Sequence, residues 1–262
     1  MIKAKKSLGQ NFLIDKNIIE KIIDSVEIKG KSILEIGPGT GNLTKNILEK
    51  KPKKLIVVEK DSELAELLNE DFGNKIKIIN DDVLKVDENN LDHNVLTVFG
   101  NLPYNISTEI LCSWILNIKN NNFWFNSLIL MFQKEVADRI IAEYNTKNYG
   151  RLSILSNWKL DIVKICDVKP SSFSPKPKIE SSVLIMKPKI DFFNLKDPKN
   201  LEKLTRVFFM HRRKMLKKPY NQMFNGSLDA ANKLEIDLNL RPQNLNMETY
   251  YKLTREYENL RS

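Results

Sequence analysis

Asn101-Leu102-Pro103-Tyr104 is the segment of this 262-residue chain whose residue types and spacing best suit chemistry on an exocyclic amine. The Asn101 side-chain oxygen and a backbone carbonyl beside it can both accept hydrogen bonds from an –NH₂ group. That pairing localises the nitrogen lone pair and aims it at an electrophilic methyl group. Pro103 stiffens the turn and biases Leu102 away from helix. Tyr104 offers a face on which a flipped-out base can stack. The plainer alternative is a capped turn with a packed tyrosine, and the residues upstream weigh against it.

Upstream lies Glu35-Ile36-Gly37-Pro38-Gly39-Thr40-Gly41, closing one apolar run and opening an amphipathic one. Glycines let the backbone turn sharply and let a ligand approach closely. Eighteen residues after Gly41 comes Glu59, placed to accept hydrogen bonds from both hydroxyls of a ribose. Asp82, after the next apolar run, can accept from the amino group of an adenine ring. Each acid alone reads as an ordinary strand-end residue; on one edge of one sheet they make a nucleoside site. Nicotinamide enzymes use a related glycine pattern. Here, however, the spacing is Gly-Pro-Gly-Thr-Gly rather than Gly-x-Gly-x-x-Gly, and an acid, Glu35, precedes it. That arrangement is common where the ligand is S-adenosylmethionine. A dehydrogenase would also lack a convincing hydride-site histidine, the only two being His93 and His211.

The elements that must hold these residues follow from apolar periodicity. Residues 17–28 are expected to form a helix with Ile18, Ile19, Ile22, Ile23 and Val26 on one face. Strands are expected at Ser32–Ile36, Leu55–Glu59, Lys75–Asn80, Leu96–Gly100, Ser127–Gln133 and Ser182–Met186. Helices are expected at Leu43–Lys50, from Ser62 as cap to Asn69, and at Thr108–Asn117. Alternating strands and helices argue for an α/β fold with a mostly parallel sheet covered on both faces. The prolines of 170–177 require an ordered loop. From about 191 the pattern turns helical, with Leu201, Leu204, Phe208 and Met215 as one stripe, so a boundary is expected near 188–195.

The charge is uneven. The chain carries +9 in all, about +1 from residues 1–170 and about +8 from 171–262. The densest run is His211-Arg212-Arg213-Lys214-Met215-Leu216-Lys217-Lys218. Such a cluster attracts polyanions and releases their counterions; the alternative is a solvated face in a lysine-rich chain. The longest apolar run, Leu128–Phe132, has strand length, so no membrane-spanning helix is expected. The basic first residues lack an apolar stretch, so no signal peptide is expected. Two cysteines, Cys112 and Cys166, suit reduced thiols in the cytoplasm, and two Cys with two His offer no metal site.

Taken together, these motifs resemble the small-subunit ribosomal RNA adenine dimethyltransferase family. The resemblance rests on 8–13 (Leu-Gly-Gln-Asn-Phe-Leu), 35–41, 58–61, and 100–107 around Asn101. It continues through 133–139, 149–153, the Phe173-x-Pro175-x-Pro177 loop and 208–214, and so covers residue 8 to about 216. It implies a Rossmann-like class I methyltransferase sheet over 1–190 and a small, mostly helical RNA-binding domain over 191–262. It further implies S-adenosylmethionine as cofactor, held by Asn11, Leu13, Gly37, Gly39, Glu59, Asp82 and Asn101. Asn101, Leu102, Pro103 and Tyr104 would form the catalytic motif. Tyr104 and Phe173 would sandwich the target base, with Arg212, Arg213 and Lys214 on RNA. The implied substrate is small-subunit RNA within a pre-ribosomal particle, met by a monomer that needs neither metal nor membrane. Competing readings are a macrolide-resistance methyltransferase of large-subunit RNA and a non-catalytic assembly factor. One departure is Pro219, expected to end the basic helix two or three residues early.

Overall fold

The computed structural model describes residues 4–5, 8–87, 91–92, 94–118 and 122–261. In chain order the elements begin with β1 (Phe12–Leu13), α1 (Lys16–Ile23), β2 (Ser32–Ile36), α2 (Asn42–Glu49) and β3 (Lys54–Val58). Next come α3 (Ser62–Phe72), β4 (Lys77–Ile79), β5 (Leu96–Asn101), α4 (Ser107–Asn117), β6 (Phe125–Gln133) and α5 (Lys134–Ile140). Then follow α6 (Arg151–Lys159), β7 (Leu160–Val168), β8 (Phe173–Ser174) and β9 (Ser181–Pro188). The last four are α7 (Pro198–Met210), α8 (Lys217–Phe224), α9 (Asp229–Lys233) and α10 (Met247–Asn259).

The chain divides into two units. One comprises Met1–Ile110, Ile118–Ala137 and Asp161–Pro188; the other comprises Leu111–Asn117, Asp138–Leu160 and Lys189–Ser262. The expected cut at 190/191 is a single point in sequence, whereas this division interleaves.

In the first unit, seven strands pair in the order β4-β3-β2-β5-β6-β9-β7. The pairs β3–β4, β2–β3, β2–β5 and β5–β6 are parallel, and β9 runs antiparallel to β6. The inner strands are nearly continuous apolar runs: all five residues of β2 and the first five of β5 are buried. That is the signature of a sheet covered on both faces. Ile33, Leu55, Val57, Phe99 and Ile129 form its core with Ile19, Ile22 and Ile23 of α1 and Ile47 of α2. Each such side chain contributes roughly 1.5–3 kcal/mol by leaving water. The strand order reverses between β2 and β5, so loops leaving their carboxyl ends flank a crevice, the usual ligand position in such sheets.

Four expectations are corrected. Asp61, not Ser62, caps α3: its carboxylate accepts from the Glu63 N–H at 3.2 Å, and Ser62 is already helical. The basic run is not one helix. α7 ends at Met210, and Met215 is 58% exposed, off the stripe that buries Leu201, Leu204 and Phe208. Pro219 ends nothing; it is buried in the first turn of α8, where a backbone N–H has no intrahelical partner to lose. α1 also stops at Ile23 rather than 28, at an Asp24 cap.

The second unit has an aromatic core. Tyr220 stacks on Phe224 with centroids 4.5 Å apart. The Tyr250 hydroxyl donates to Pro242 O, the Tyr251 hydroxyl to Ile154 O, and Trp158 Nε1 to Phe193 O. α6 gives no amphipathic signal because it is buried nearly all round, Lys159 included. No helix among the described residues is long and apolar enough to cross a membrane.

Candidate active site

The glycine loop leaves β2 with Gly37, Gly39 and Gly41 all at positive φ. Two of them matter through their neighbours as well. A Cβ on Gly39 would lie 2.7 Å from the Phe12 ring, and one on Gly37 would lie 3.5 Å from Asn101 O. A side chain at 39 would therefore displace the segment that carries Asn11 and Phe12. Beneath the loop, Glu35 is fully buried and accepts from Thr44 Oγ1 at 2.7 Å. Burial pushes its carboxyl up to about 8, against a smaller downward pull from Thr44.

Glu59 follows β3 and is 6% exposed. One carboxylate oxygen accepts from Gly39 N and the other from Asp61 N, at 3.2 and 2.9 Å. The Lys60 N–H also bonds it, and since a carboxylate has about four lone-pair sites, an acceptor position remains for a ligand. Burial raises its pKa. Asp82 accepts from Leu84 N and pairs with Lys60 Nζ at 2.7 Å, and Lys60 first of all holds its carboxyl below the usual range. Asn80 Nδ2 donates to Glu59 O, tying the two acid-bearing loops together.

Asn101 ends β5. Its Nδ2 donates to Asn11 O at 2.8 Å, which leaves Oδ1 as the acceptor. The Tyr104 hydroxyl is hydrogen-bonded to Ser181 Oγ.

These residues meet around one cavity of about 160 Å³, lined by Asn11, Gly37, Gly39, Glu59, Asp82, Asn101, Leu102, Pro103 and Tyr104. Leu8, Leu64 and Leu84 supply apolar wall. Leu13 lies elsewhere: it is buried in β1 and lines a smaller cavity of about 30 Å³ that also borders Gly37 and Asn101. Phe173 is not on the wall either. It is 3% exposed, faces Leu13 across the antiparallel β1–β8 pair, and packs into the core.

Sequence reasoning missed Asp61 as a hub. It accepts from Lys5 Nζ at 2.7 Å and Gln10 Nε2 at 2.9 Å. Burial opposes its ionisation, but those bonds, the Glu63 N–H and the Lys5 charge together outweigh it and hold the carboxyl low. The available signal was its place, at a helix N-cap two residues after Glu59. Ser181 gave no signal.

The comparisons decide the family. A family model described as ribosomal RNA adenine dimethylase matches residues 1–259. The chain belongs to the ribosomal RNA adenine dimethylase family. A ribosomal RNA small subunit methyltransferase A from Pelagibacter ubique is 66% identical over 260 residues, 99% of each chain. The crystal structure of a dimethyladenosine transferase from Plasmodium falciparum superposes with TM-score 0.79 at 26% identity, covering 95% of this chain and 98% of its own. The 23S rRNA methyltransferase ErmE shares the fold at TM-score 0.69 and 20% identity, covering 95% and 100%.

In this member of the dimethylase family the basic run is not uniform. Arg212 donates to the backbone carbonyls of Thr146 and Lys147 and is half-buried, so it staples a loop of its own unit. Arg213 and Lys214 are exposed. Among the described residues no group of three or more His, Cys, Asp or Glu is placed to hold a metal ion, and His93 lies outside them. Cys112 and Cys166 are free thiols.

Proposed function

We propose that this protein transfers methyl groups from S-adenosylmethionine to the 6-amino groups of two adjacent adenines near the 3′ end of small-subunit ribosomal RNA, giving dimethyladenosines. The observation that carries this reading is the Asn101 amide: Asn11 O takes its donor, and its acceptor remains at the edge of the glycine-lined cavity.

The cavity suits the cofactor. Gly37 and Gly39 line it without side chains, Glu59 keeps an acceptor position for a ribose hydroxyl, and Asp82 offers an acceptor for the adenine amino group. Asn11, Gly37, Gly39 and Asn101 line the rest, with Leu13 behind them. When bound, S-adenosylmethionine supplies a methyl group made electrophilic by its sulfonium. The chain's own residues position the other reactant. Asn101 Oδ1 and a neighbouring backbone carbonyl accept the two N–H bonds of the target amine and hold its lone pair in line. Tyr104 stacks the base. The methylated nitrogen is acidic enough to shed its proton to water, so no strong base is required.

In this reading 1–190 is the catalytic domain and 191–262 the RNA-binding domain. Arg213 and Lys214 lie on the RNA, and Phe173 sets the backbone near the base from within the core. The protein works in the cytoplasm as a monomer on a pre-ribosomal small subunit, with a role in its assembly.

The test is incorporation from labelled S-adenosylmethionine into small subunits whose RNA lacks dimethyladenine, with large subunits alongside and digests read by mass spectrometry. Two methyl groups on each of two adjacent adenines of the small subunit are expected. Incorporation into large subunits alone would replace this reading with the macrolide-resistance activity, and none in either would point to an assembly factor without catalysis.

A further inference from the structure

We infer that Ser181 is a positioning residue for methyl transfer: its hydroxyl holds the phenol of Tyr104 and so sets the plane of the ring on which the target adenine stacks. The inference rests on the stacking role proposed for Tyr104. A phenylalanine would supply the same apolar face, so the hydroxyl calls for a separate account. In the structure that hydroxyl has one partner shown, Ser181 Oγ.

The two ends of this bond differ in how firmly they are held. Tyr104 sits in the turn between β5 and α4. The hydrogen bonds around it there are Ile106 N to Pro103 O at 3.1 Å and Ser107 Oγ to Tyr104 O at 3.3 Å. Neither restrains the ring. Ser181 is wholly buried at the start of β9, in register with Gln133 of β6. Its neighbours on both sides are clamped. Lys134 N donates to Glu180 O, and Lys134 Nζ bridges the carboxylates of Glu180 and Asp167 at 3.0 and 2.9 Å. Asp167 in turn accepts from Ser182 Oγ at 2.6 Å. Ser181 is therefore a fixed point and Tyr104 the part that needs fixing. Burial raises the Tyr104 phenol above its ordinary value, and either hydroxyl can donate in this bond. Stacking geometry matters here because the target nitrogen must stay in line with the methyl donor, and small misplacements of a reactant cost large factors in rate.

The experiment is steady-state methylation of undermethylated small subunits by Ser181→Ala, Tyr104→Phe and the double variant, with cofactor affinity measured by calorimetry. Each single variant is expected to lower kcat about tenfold while leaving the dissociation constant for S-adenosylmethionine unchanged. The double variant should be no worse than either single, because both remove the same bond. Tyr104→Phe guards against a folding artefact, since it leaves β9 untouched. Wild-type kcat in both single variants, with Tyr104→Ala inactive, would overturn the inference and leave the stacking role standing. Losses that multiply in the double variant would overturn it too. Full turnover by Tyr104→Ala would remove the stacking role itself.

Discussion

Asn101 has one amide and two ends: its nitrogen is committed to Asn11 O, and in the proposed reaction its oxygen accepts from the target amine. Replacing it with alanine should abolish most methyl transfer while changing cofactor affinity by less than about tenfold, roughly 1.4 kcal/mol. Label transfer and calorimetry on the same preparation check both halves, and undiminished turnover would refute the assigned mechanism. Glu35 makes a prediction of the opposite kind, about stability. Burial chiefly pushes its carboxyl up to about 8 in the folded protein, from an ordinary value of 4.5. The folded state thus holds the proton more tightly across that window. The favourable contribution is complete below about 4.5 and is lost as pH rises towards 8. Glu35→Gln keeps an acceptor for Thr44 and removes the titration. Its melting temperature should match wild type near pH 4.5 and exceed it by several degrees at pH 8. A constant gap across that range would show that Glu35 does not titrate there. At this scale the gathering of Glu59, Asp82, Asn101 and Tyr104 around one cavity was legible in the sequence, since each sits at a fixed offset from a strand end or a glycine. Ser181 was not, because its partner lies 77 residues away and a lone serine carries no pattern. Phe173 was legible as a functional aromatic only by resemblance, and its pairing opposite Leu13 buries it in the core instead.

Among elements, the N-terminal segment has the most to lose. Two residues of strand, β1, and the contacts of Lys5 and Gln10 with Asp61 hold it beside the cavity. Gln10 does double duty, donating to Asp61 and accepting from Lys5 N at 2.7 Å. Asp61 in turn donates its N–H to Glu59. Gln10→Ala should therefore weaken S-adenosylmethionine binding several-fold and raise hydrogen exchange over residues 8–13, with the sheet strands unchanged. Unaltered affinity would mean that the segment seats itself without Asp61. The strands β2, β3, β5 and β6 fell close to their expected bounds because a doubly covered strand is an unmistakable apolar run. β1 and β8 were invisible because two residues form no period. Pro219 misled because proline is a helix breaker only past the first turn.

The whole chain carries its positive charge late, and composition alone shows that. What composition hides is which charges are committed. Arg212 is bound to the 146–147 carbonyls, so reversing it would disturb the unit's own packing. The double variant Arg213→Glu with Lys214→Glu is the cleaner probe. If both touch phosphates, the slope of log affinity against log salt should fall by about 0.7–0.9 per contact. A slope that does not move would make the run a solvated face. The interleaved division into units was also beyond the sequence, because bonds such as Tyr251 to Ile154 join residues 97 apart. The same long reach bears on how the protein is made. Phe12 and Leu13 pair with Ser174 and Phe173, and β9 must slot between β6 and β7 although it is synthesised after both. A growing chain therefore exposes its glycine loop, Glu59, Asp82 and Asn101 well before the strand partners that seat its first residues have left the ribosome. Products released early, by a stop codon or a broken message, carry Glu59, Asp82 and Asn101 but lack the strand that pairs with Phe12 and Leu13. The glycine-loop edge of the sheet is thus complete only once the last third of the chain begins to be made.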